Sequence, residues 1–342
     1  MLGARVSRAN AESFRKDITK ARLLDKKHFI TDEGRDVLIP LVGSPGGELL
    51  AKHGARLIDF PFRDRSWRID PIEKIRTICR IPEGLKSALP DKWEQFGDVA
   101  VIRLDHTLDD YEPEVADAYA KVLGLKAVIR DVGGVAGDLR EPVARVLLGK
   151  DTISTHLENG IRYRFDASKI MFSSGNVEER LRMADIQCDG ETVVDMFAGI
   201  GYFSLPLAVY QRPEKIIACE LNPVAYSFLV ENVALNDSTG RIEPVLGDNR
   251  TLAGSGFADR VIMGYVKKTH EFLPTAMRLL RSGGMLHYHE TCPNELLPTR
   301  PVQRLVSAAK GHRVEILRFK EIKSYAPGVS HVVLDTRITR LS

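Results

Sequence analysis

The sequence predicts an α/β protein: an open, mostly parallel sheet covered by helices on both faces, with one antiparallel strand, preceded by a small α+β domain. Three observations lead there. From about Thr192, short apolar runs alternate with helix-length ones, a rhythm that calls for parallel strands joined by crossover helices. At the end of the chain, "VEILRFKEIKSY" and "SHVVLDTRIT" follow one another with no helix between, so one strand must run antiparallel. A glycine turn, "DMFAGIGYF" (Asp195 to Phe203), joins the first strand of the series to its helix, where backbone comes close to a ligand.

Composition sets the limits. A chain of 342 residues, 44% hydrophobic and 28% charged, is long enough for a sizeable core and two or three domains. A net charge of +3 permits nucleic-acid binding without requiring it. No apolar run approaches the roughly 20 residues of a membrane helix, and the opening "MLGARVSRANAESFRKDITK" lacks the apolar stretch of a secretion signal. Cys79, Cys188, Cys219 and Cys292 are too scattered for a CxxC pair, which fits buried thiols in a reducing cytoplasm.

Along the chain, residues 1–82 form an N-terminal segment with a charged helix in "AESFRKDITKARLLD" and a strand in "DVLIPLV". Its "PFRDRSWRIDPIEKIR" run interleaves basic groups with Phe62 and Trp67. That pattern suits phosphates and unstacked bases, and equally a solvated surface with two aromatics turned inward. Residues 83–168 read as the small α+β domain: strand "DVAVIRL", helix "EPEVADAYAKVLG" stopping at Gly124, strand "KAVIRD", and a hairpin turning at "ENG". In the domain 169–342, a loop and a helix capped near Ser174 or Asn176 come first. Strands "TVVDMFA", "KIIACEL", "IEPVLGD", "DRVIMGYV" and "MLHYHET" follow, with helices "GYFSLPLAVYQ", "PVAYSFLVENVALN", "EFLPTAMRLLRSGG" and "RPVQRLVSAAKG". This is the class I methyltransferase-like (Rossmann-like) pattern.

The turn itself runs Gly199, Ile200, Gly201, Tyr202, Phe203, Ser204, so the third glycine of the dinucleotide fingerprint is missing. Its neighbours carry more information. Asp195 ends the first strand two residues before Phe197. Glu220 ends the second, where a carboxylate accepts ribose hydroxyls. Asp248 and Asn249 end the third, placed for an adenine amino group and ring. Open sheets bind ligands at such carboxyl ends. There is no GxxxxGK[ST] run, and an acidic rim repels polyphosphate but tolerates a sulfonium, so the cofactor indicated is S-adenosyl-L-methionine. Arg180 or Arg182 is a candidate partner for its carboxylate, and Ser173 for a further hydrogen bond. His287 and His289 alternate along one strand with Cys292 nearby. They lack a fourth ligand at suitable spacing, so no metal is expected. Lys267 and Lys268 are candidates for phosphate contacts or for a solvated loop, and Tyr325 in "SYAPG" for stacking on a base.

From about Trp93 onward, "DMFAGIGYFSLPLA", "CELNP", "GDNR", the "KIMFSSGN" loop with its ER and RM, and the "KSYAPG" and "SHVVLD" runs resemble the tRNA guanine-37 modification group. That group holds the archaeal and eukaryotic tRNA guanine-N1 methyltransferases and the aminocarboxypropyltransferases of wybutosine synthesis. The methylating members carry an Asn-x-Pro motif after the fourth strand and favour proline in the glycine turn. This chain has Gly264, Tyr265, Val266 and Tyr202 there, as the aminocarboxypropyl-transferring branch does. The resemblance thus implies transfer of the 3-amino-3-carboxypropyl group of S-adenosylmethionine to carbon 7 of 4-demethylwyosine at nucleotide 37, in the anticodon stem-loop of tRNA-Phe. Methylthioadenosine is released, and no obligate protein partner is implied. It further implies a substrate-side role for Tyr202, and a tRNA-contacting role for residues 1–82, although the methyltransferases' separate tRNA-elbow domain finds no match there. No residue is assigned as general base; Tyr265 and His289 are the candidates for a part in the chemistry. The alternatives are N1-methylation of guanosine 37, opposed by the missing Asn-x-Pro, and a non-catalytic RNA-binding protein with a vestigial cofactor fold. A dehydrogenase stands further off.

Overall fold

The computed structural model describes residues 1–64, 70–137, 139–266 and 268–341. Trp67 and Lys267, both singled out above, lie outside the described residues. The chain divides into two compact units, Met1–Thr77 and Ile78–Ser342.

The first unit contains β1 (Leu2–Ser7), α1 (Arg8–Lys20), β2 (Thr31–Glu33), β3 (Asp36–Pro40), α2 (Gly47–His53) and β4 (Arg56–Asp59), with α3 (Pro71–Ile78) at its boundary. Its four strands form an antiparallel sheet in the order β2-β3-β1-β4. α1 lays Phe14 and Ile18, one turn apart and both fully buried, onto Ala4, Val6 and Ile39. Only α1 and β3 were legible in the sequence; the other strands are short and weakly apolar.

The second unit opens with β5 (Trp93–Phe96), β6 (Val99–Ile102), α4 (Glu112–Leu123), β7 (Ala127–Ala136) and β8 (Glu141–Leu148), followed by the hairpin β9 (Ile153–Glu158) and β10 (Ile161–Asp166). α4 ends at Gly124 with φ 68°, and the hairpin turns through Asn159 and Gly160 at φ 49° and 75°, as the "LG" and "ENG" signals require. β5 and β8 were not anticipated. β8, "EPVARVLL", pairs with β7 as a half-exposed edge strand, so it lacks the apolar run that marks a core strand.

The remainder comprises α5 (Val177–Asp185), β11 (Thr192–Asp195), α6 (Ser204–Tyr210), β12 (Lys215–Glu220), α7 (Pro223–Leu235), β13 (Ile242–Leu246), β14 (Ala258–Met263), α8 (Leu273–Leu279), β15 (Leu280–Pro293), α9 (Thr299–Ala308), β16 (His312–Ala326) and β17 (Val329–Arg340). The strands form one seven-stranded sheet, β13-β12-β11-β14-β15-β17-β16. β17 runs antiparallel to both neighbours, and every other adjacent pair except those is parallel. The order reverses between β11 and β14, the switch point where open α/β sheets hold ligands.

Two local expectations need correcting. α8 stops at Leu279, not at Gly284: β15 already pairs at Leu280, then jumps register to Met285, looping out residues 281–284 through Gly283 at φ 83°. The helix at 177 begins after Asn176, yet neither Ser174 nor Asn176 supplies a side-chain cap.

One apolar cluster runs from Phe96, Val99 and Ile129 of the small sheet through Tyr163 and Phe165 of the hairpin to Val193 and Leu229 of the large sheet's cover. Asn232 of α7 reinforces it. Fully buried, it donates to the carbonyls of Arg164 and Ile200 and accepts from the Arg164 amide at 2.7 Å. Residues 83–168 and 169–342 therefore share one core within the second unit. No helix among the described residues is long and apolar enough to cross a membrane.

Candidate active site

A cavity of about 340 Å³ opens at the carboxyl ends of the large sheet, entirely within the second unit. Its wall follows the strand order: Asp248 and Asn249 after β13, Glu220 at the end of β12, Phe197 and Gly199 after β11, Gly264 and Tyr265 after β14, His331 on β17 and Lys323 on β16.

At the β11–β13 end the local sequence explains the geometry. Gly199 takes φ 57°, and its amide donates to Oε2 of Glu220 at 2.7 Å. The other oxygen of Glu220 accepts the Asn222 amide at 2.7 Å. A carboxylate has about four acceptor positions, and the Leu221 amide also favours its charged form, so acceptor capacity remains for the cavity but not a full lone pair on each oxygen. Burial pushes the Glu220 carboxyl above its ordinary value, partly offset by those amides. Asn249 donates from Nδ2 to the Met196 carbonyl at 2.8 Å, while its Oδ1 is buried with no partner among the described residues. Asp248 lines the wall with its carboxylate forked by Arg250, whose hydrogen bonds hold it below its usual range.

Two members of the expected acidic and glycine set do not reach the cavity. Asp195 is fully buried beneath it, accepting from Ser204 Oγ at 2.7 Å and the Phe197 amide at 3.2 Å, and burial pushes its carboxyl up to about 6. It shapes the turn rather than meeting a ligand. Gly201 (φ 101°) is needed for packing, since a Cβ there would sit 2.7 Å from Leu205.

The far end is assembled from distant segments. Arg180, expected to meet a ligand carboxylate, is 2% exposed and already forks Glu158 at 2.5 and 2.8 Å, while also donating to the Ser173 carbonyl. Glu158 is in turn held down to about 2, burial being outweighed by Arg180 and His156. Arg182 is likewise taken by Glu179 and Asp335. Among the described residues, two further cations at this end carry no ion pair, and neither was legible as a ligand partner in the sequence. Lys323 donates to Ser173 Oγ at 2.7 Å, with no carboxylate in ion-pair reach among the described residues, and burial pushes its ammonium below the ordinary value. Arg140 lies 6.0 Å from the Tyr265 ring centroid, on the β7–β8 connection that Asn222 Nδ2 ties down through the Leu139 carbonyl. Lys323 stands inside the quoted "KSYAPG" run; Arg140 gave no signal, because the β8 hairpin was itself not seen.

Phe197 and Tyr265 stack on one another at 5.2 Å and both line the cavity. Tyr202 donates its hydroxyl to the Met171 carbonyl at 2.7 Å and packs its ring under Gly199. Lys268 and Tyr325 lie exposed on the wall. His289 is fully buried and off the wall, stacked on Phe203 at 5.4 Å. Its neighbour His331, quoted in "SHVVLD" without a role, is the histidine that lines the cavity.

The sheet order and a strand-end cavity with an acidic, glycine-backed end define a class I methyltransferase-like protein. Residues 154–317 match the TRM5/TYW2 methyltransferase domain, and residues 75–152 the TYW2 N-terminal domain. The chain is 46% identical over 269 residues to tRNA(Phe) (4-demethylwyosine(37)-C(7)) aminocarboxypropyltransferase of Pyrococcus horikoshii, covering 78% of this chain and 96% of that one. The crystal structure of P. horikoshii TYW2 in complex with MeSAdo superposes with a TM-score of 0.72 at 44% identity, over 78% of this chain and 99% of that one. Wild-type Trm5b of Pyrococcus abyssi superposes at 0.70 with 31% identity over 99% of both chains. The chain belongs to the TRM5/TYW2 family. Trm5b also spans residues 1–77, the segment for which the sequence reading found no match.

Proposed function

We propose that the protein transfers the 3-amino-3-carboxypropyl group of S-adenosyl-L-methionine to carbon 7 of 4-demethylwyosine at nucleotide 37 of tRNA-Phe, with release of methylthioadenosine. One observation carries the choice of this reaction over methylation. At Gly264, where the methylating members place their Asn-x-Pro, a Cβ would lie 2.7 Å from the ring of Phe203. Phe203 is itself buried and held against His289, so the position has no room for a proton-abstracting amide.

The residues present fit the cofactor. Glu220 offers its remaining acceptor capacity to ribose hydroxyls, Asn249 Oδ1, unpartnered among the described residues, offers an acceptor for an adenine amino group, and the cation Lys323 is placed for a carboxylate. When bound, S-adenosylmethionine supplies a sulfonium flanked by three electrophilic carbons. Which of them reacts depends on which is held in line at about 3 Å from the nucleophile. Lys323 and Ser173 hold the amino-acid end, and so orient the γ-carbon. The stacked pair Phe197 and Tyr265 gives the cavity an apolar side that limits water there. Lys268 and Tyr325 face the anticodon stem-loop at the rim, and residues 1–82 contact the tRNA elsewhere. The protein acts in the cytoplasm without an obligate protein partner, in keeping with four buried free cysteines.

Parallel incubations with carboxyl-labelled and methyl-labelled cofactor test the reaction. The carboxyl label is expected on tRNA bearing 4-demethylwyosine; the methyl label alone on tRNA would replace this reading with N1-methylation.

A further inference from the structure

Behind the far wall lies a buried run of titratable groups whose order fixes the proton positions of one of them. His331 lines the cavity at 2% exposure. Its Nε2 is 3.0 Å from Nδ1 of His289, and Nε2 of His289 is 3.5 Å from Oε1 of Glu179, which is fully buried. At 3.5 Å the last contact is electrostatic rather than a formed hydrogen bond, and no hydrogen-bond partner among the described residues competes for that nitrogen. A neutral imidazole has one N–H and one lone pair. A lone pair facing a buried carboxylate is repelled, so Nε2 of His289 carries the hydrogen and Nδ1 accepts. His331 must then donate from Nε2, which leaves Nδ1 bare. Among the described residues the His331 ring makes no other hydrogen bond.

The charges around this pair permit one proton to arrive. Among the described residues Glu179 and Asp335 share one permanent cation, Arg182, which bonds both; Asp335 also pairs at 2.6 Å with Nδ1 of His287, whose proton affinity burial lowers, and the neighbouring Arg260 is matched by Glu191. Lys323 and Arg140 oppose protonation from the cavity side, and burial keeps both imidazoles neutral, at about 3. The pair sits at the acceptor end: Phe203, which stacks on His289, is the ring that fills the space over Gly264.

We propose that Nδ1 of His331 accepts the proton that the acceptor base gives up, with His289 and Glu179 as positioning residues that hold it in the Nε2–H form. The inference rests on the aminocarboxypropyl-transfer reading. Carbon 7 bonds to the γ-carbon as the C–S bond breaks, and that electron pair stays on sulfur in neutral methylthioadenosine. The tricyclic ring, now cationic with hydrogen and the new chain both on carbon 7, regains its aromatic system by passing that hydrogen to His331 as a proton. Such a ring cation is a strong acid, so an imidazole of low basicity suffices.

The test uses tRNA carrying 4-demethylwyosine with deuterium or hydrogen at carbon 7. Wild-type transfer is expected to show little isotope effect. His331→Ala should slow transfer by about 10²-fold or more, reveal a primary isotope effect, and recover partly with added imidazole, while methylthioadenosine affinity by calorimetry stays unchanged. A wild-type rate, or a slowed rate without isotope effect or rescue, overturns the proposal. Long-range nitrogen-15 spectra of the free wild-type protein give an independent reading. A bare Nδ1 on His331 is expected, and a protonated Nδ1 overturns the proposal even if transfer is confirmed. Absence of carboxyl label on tRNA with wild type would instead reject the reaction, and the spectra would still judge the tautomer.

Discussion

The two ends of the cavity are built by different rules. At the β11–β13 end each wall group stands at the terminus of its own strand, and its partners lie within about a turn or on the adjacent strand: Gly199 with Glu220, Glu220 with Asn222, Asp248 with Arg250. At the β14–β17 end the groups come from residues 140, 158, 173, 180, 323 and 331, brought together by the hairpin, α5 and the last strand pair. Strand-end groups are positioned by the sheet register itself. The far end depends on buried pairing between side chains distant in sequence, and there pairing decides which charge remains for a ligand. Arg180 and Lys323 show it: the arginine is neutralised by Glu158, whereas the lysine donates to the Ser173 hydroxyl and has no carboxylate in ion-pair reach among the described residues.

Removing Arg180 gives the largest expected effect, on the fold rather than on the ligand. Arg180→Ala leaves the half-buried Glu158 with His156 as its remaining cationic partner, which should lower stability by about 3 kcal/mol in thermal or denaturant unfolding. Glu158, near 2 when folded against 4.5 ordinarily, contributes stability that is present above about pH 4.5 and fades as pH falls toward 2. That acid limb should shrink in the variant to the part His156 sustains. An unchanged unfolding curve with lost cofactor affinity would return Arg180 to the ligand and erase the contrast.

Lys323→Ala should weaken S-adenosylmethionine binding by roughly 1.5–3 kcal/mol, the value of a charge-assisted hydrogen bond, in calorimetry. Methylthioadenosine, which has no carboxylate, should bind as before. Equal losses for both ligands would place Lys323 at the nucleoside instead. Glu220→Gln is the converse experiment: both ligands should weaken together by about 1–2 kcal/mol, because the ribose is common to them.

The smallest effect on ligand binding concerns Asp195. Its carboxyl is raised from 3.8 to about 6, so ionisation costs stability, and stability should decline as pH rises from about 4 to about 6. Asp195→Asn should flatten that decline in unfolding measurements across this range, with ligand affinity little changed. A large loss of affinity would bring Asp195 back into the cavity.

These contrasts also mark how far the sequence could be read. The alternation of strand and helix, the glycine turn and the antiparallel strand at the end were legible, because each rests on periodicity or a backbone conformation encoded within some ten residues. Glu220, Asp248 and Asn249 were legible for the same reason: the end of a strand fixes where its last side chain points. Short edge strands such as β8 were not, since their half-exposed faces carry little apolar pattern.

The sequence by itself determined the alternation of strand and helix, the single antiparallel strand at the end, and the strand-end positions of Glu220, Asp248 and Asn249. Only the tertiary structure decided that Asp195 turns inward, that Arg180 belongs to Glu158, and that Lys323 and His331 face the cavity. The physical reason is that a buried charge takes whichever partner the packing brings within hydrogen-bond reach, and that partner can lie 150 residues away, as Ser173 does from Lys323.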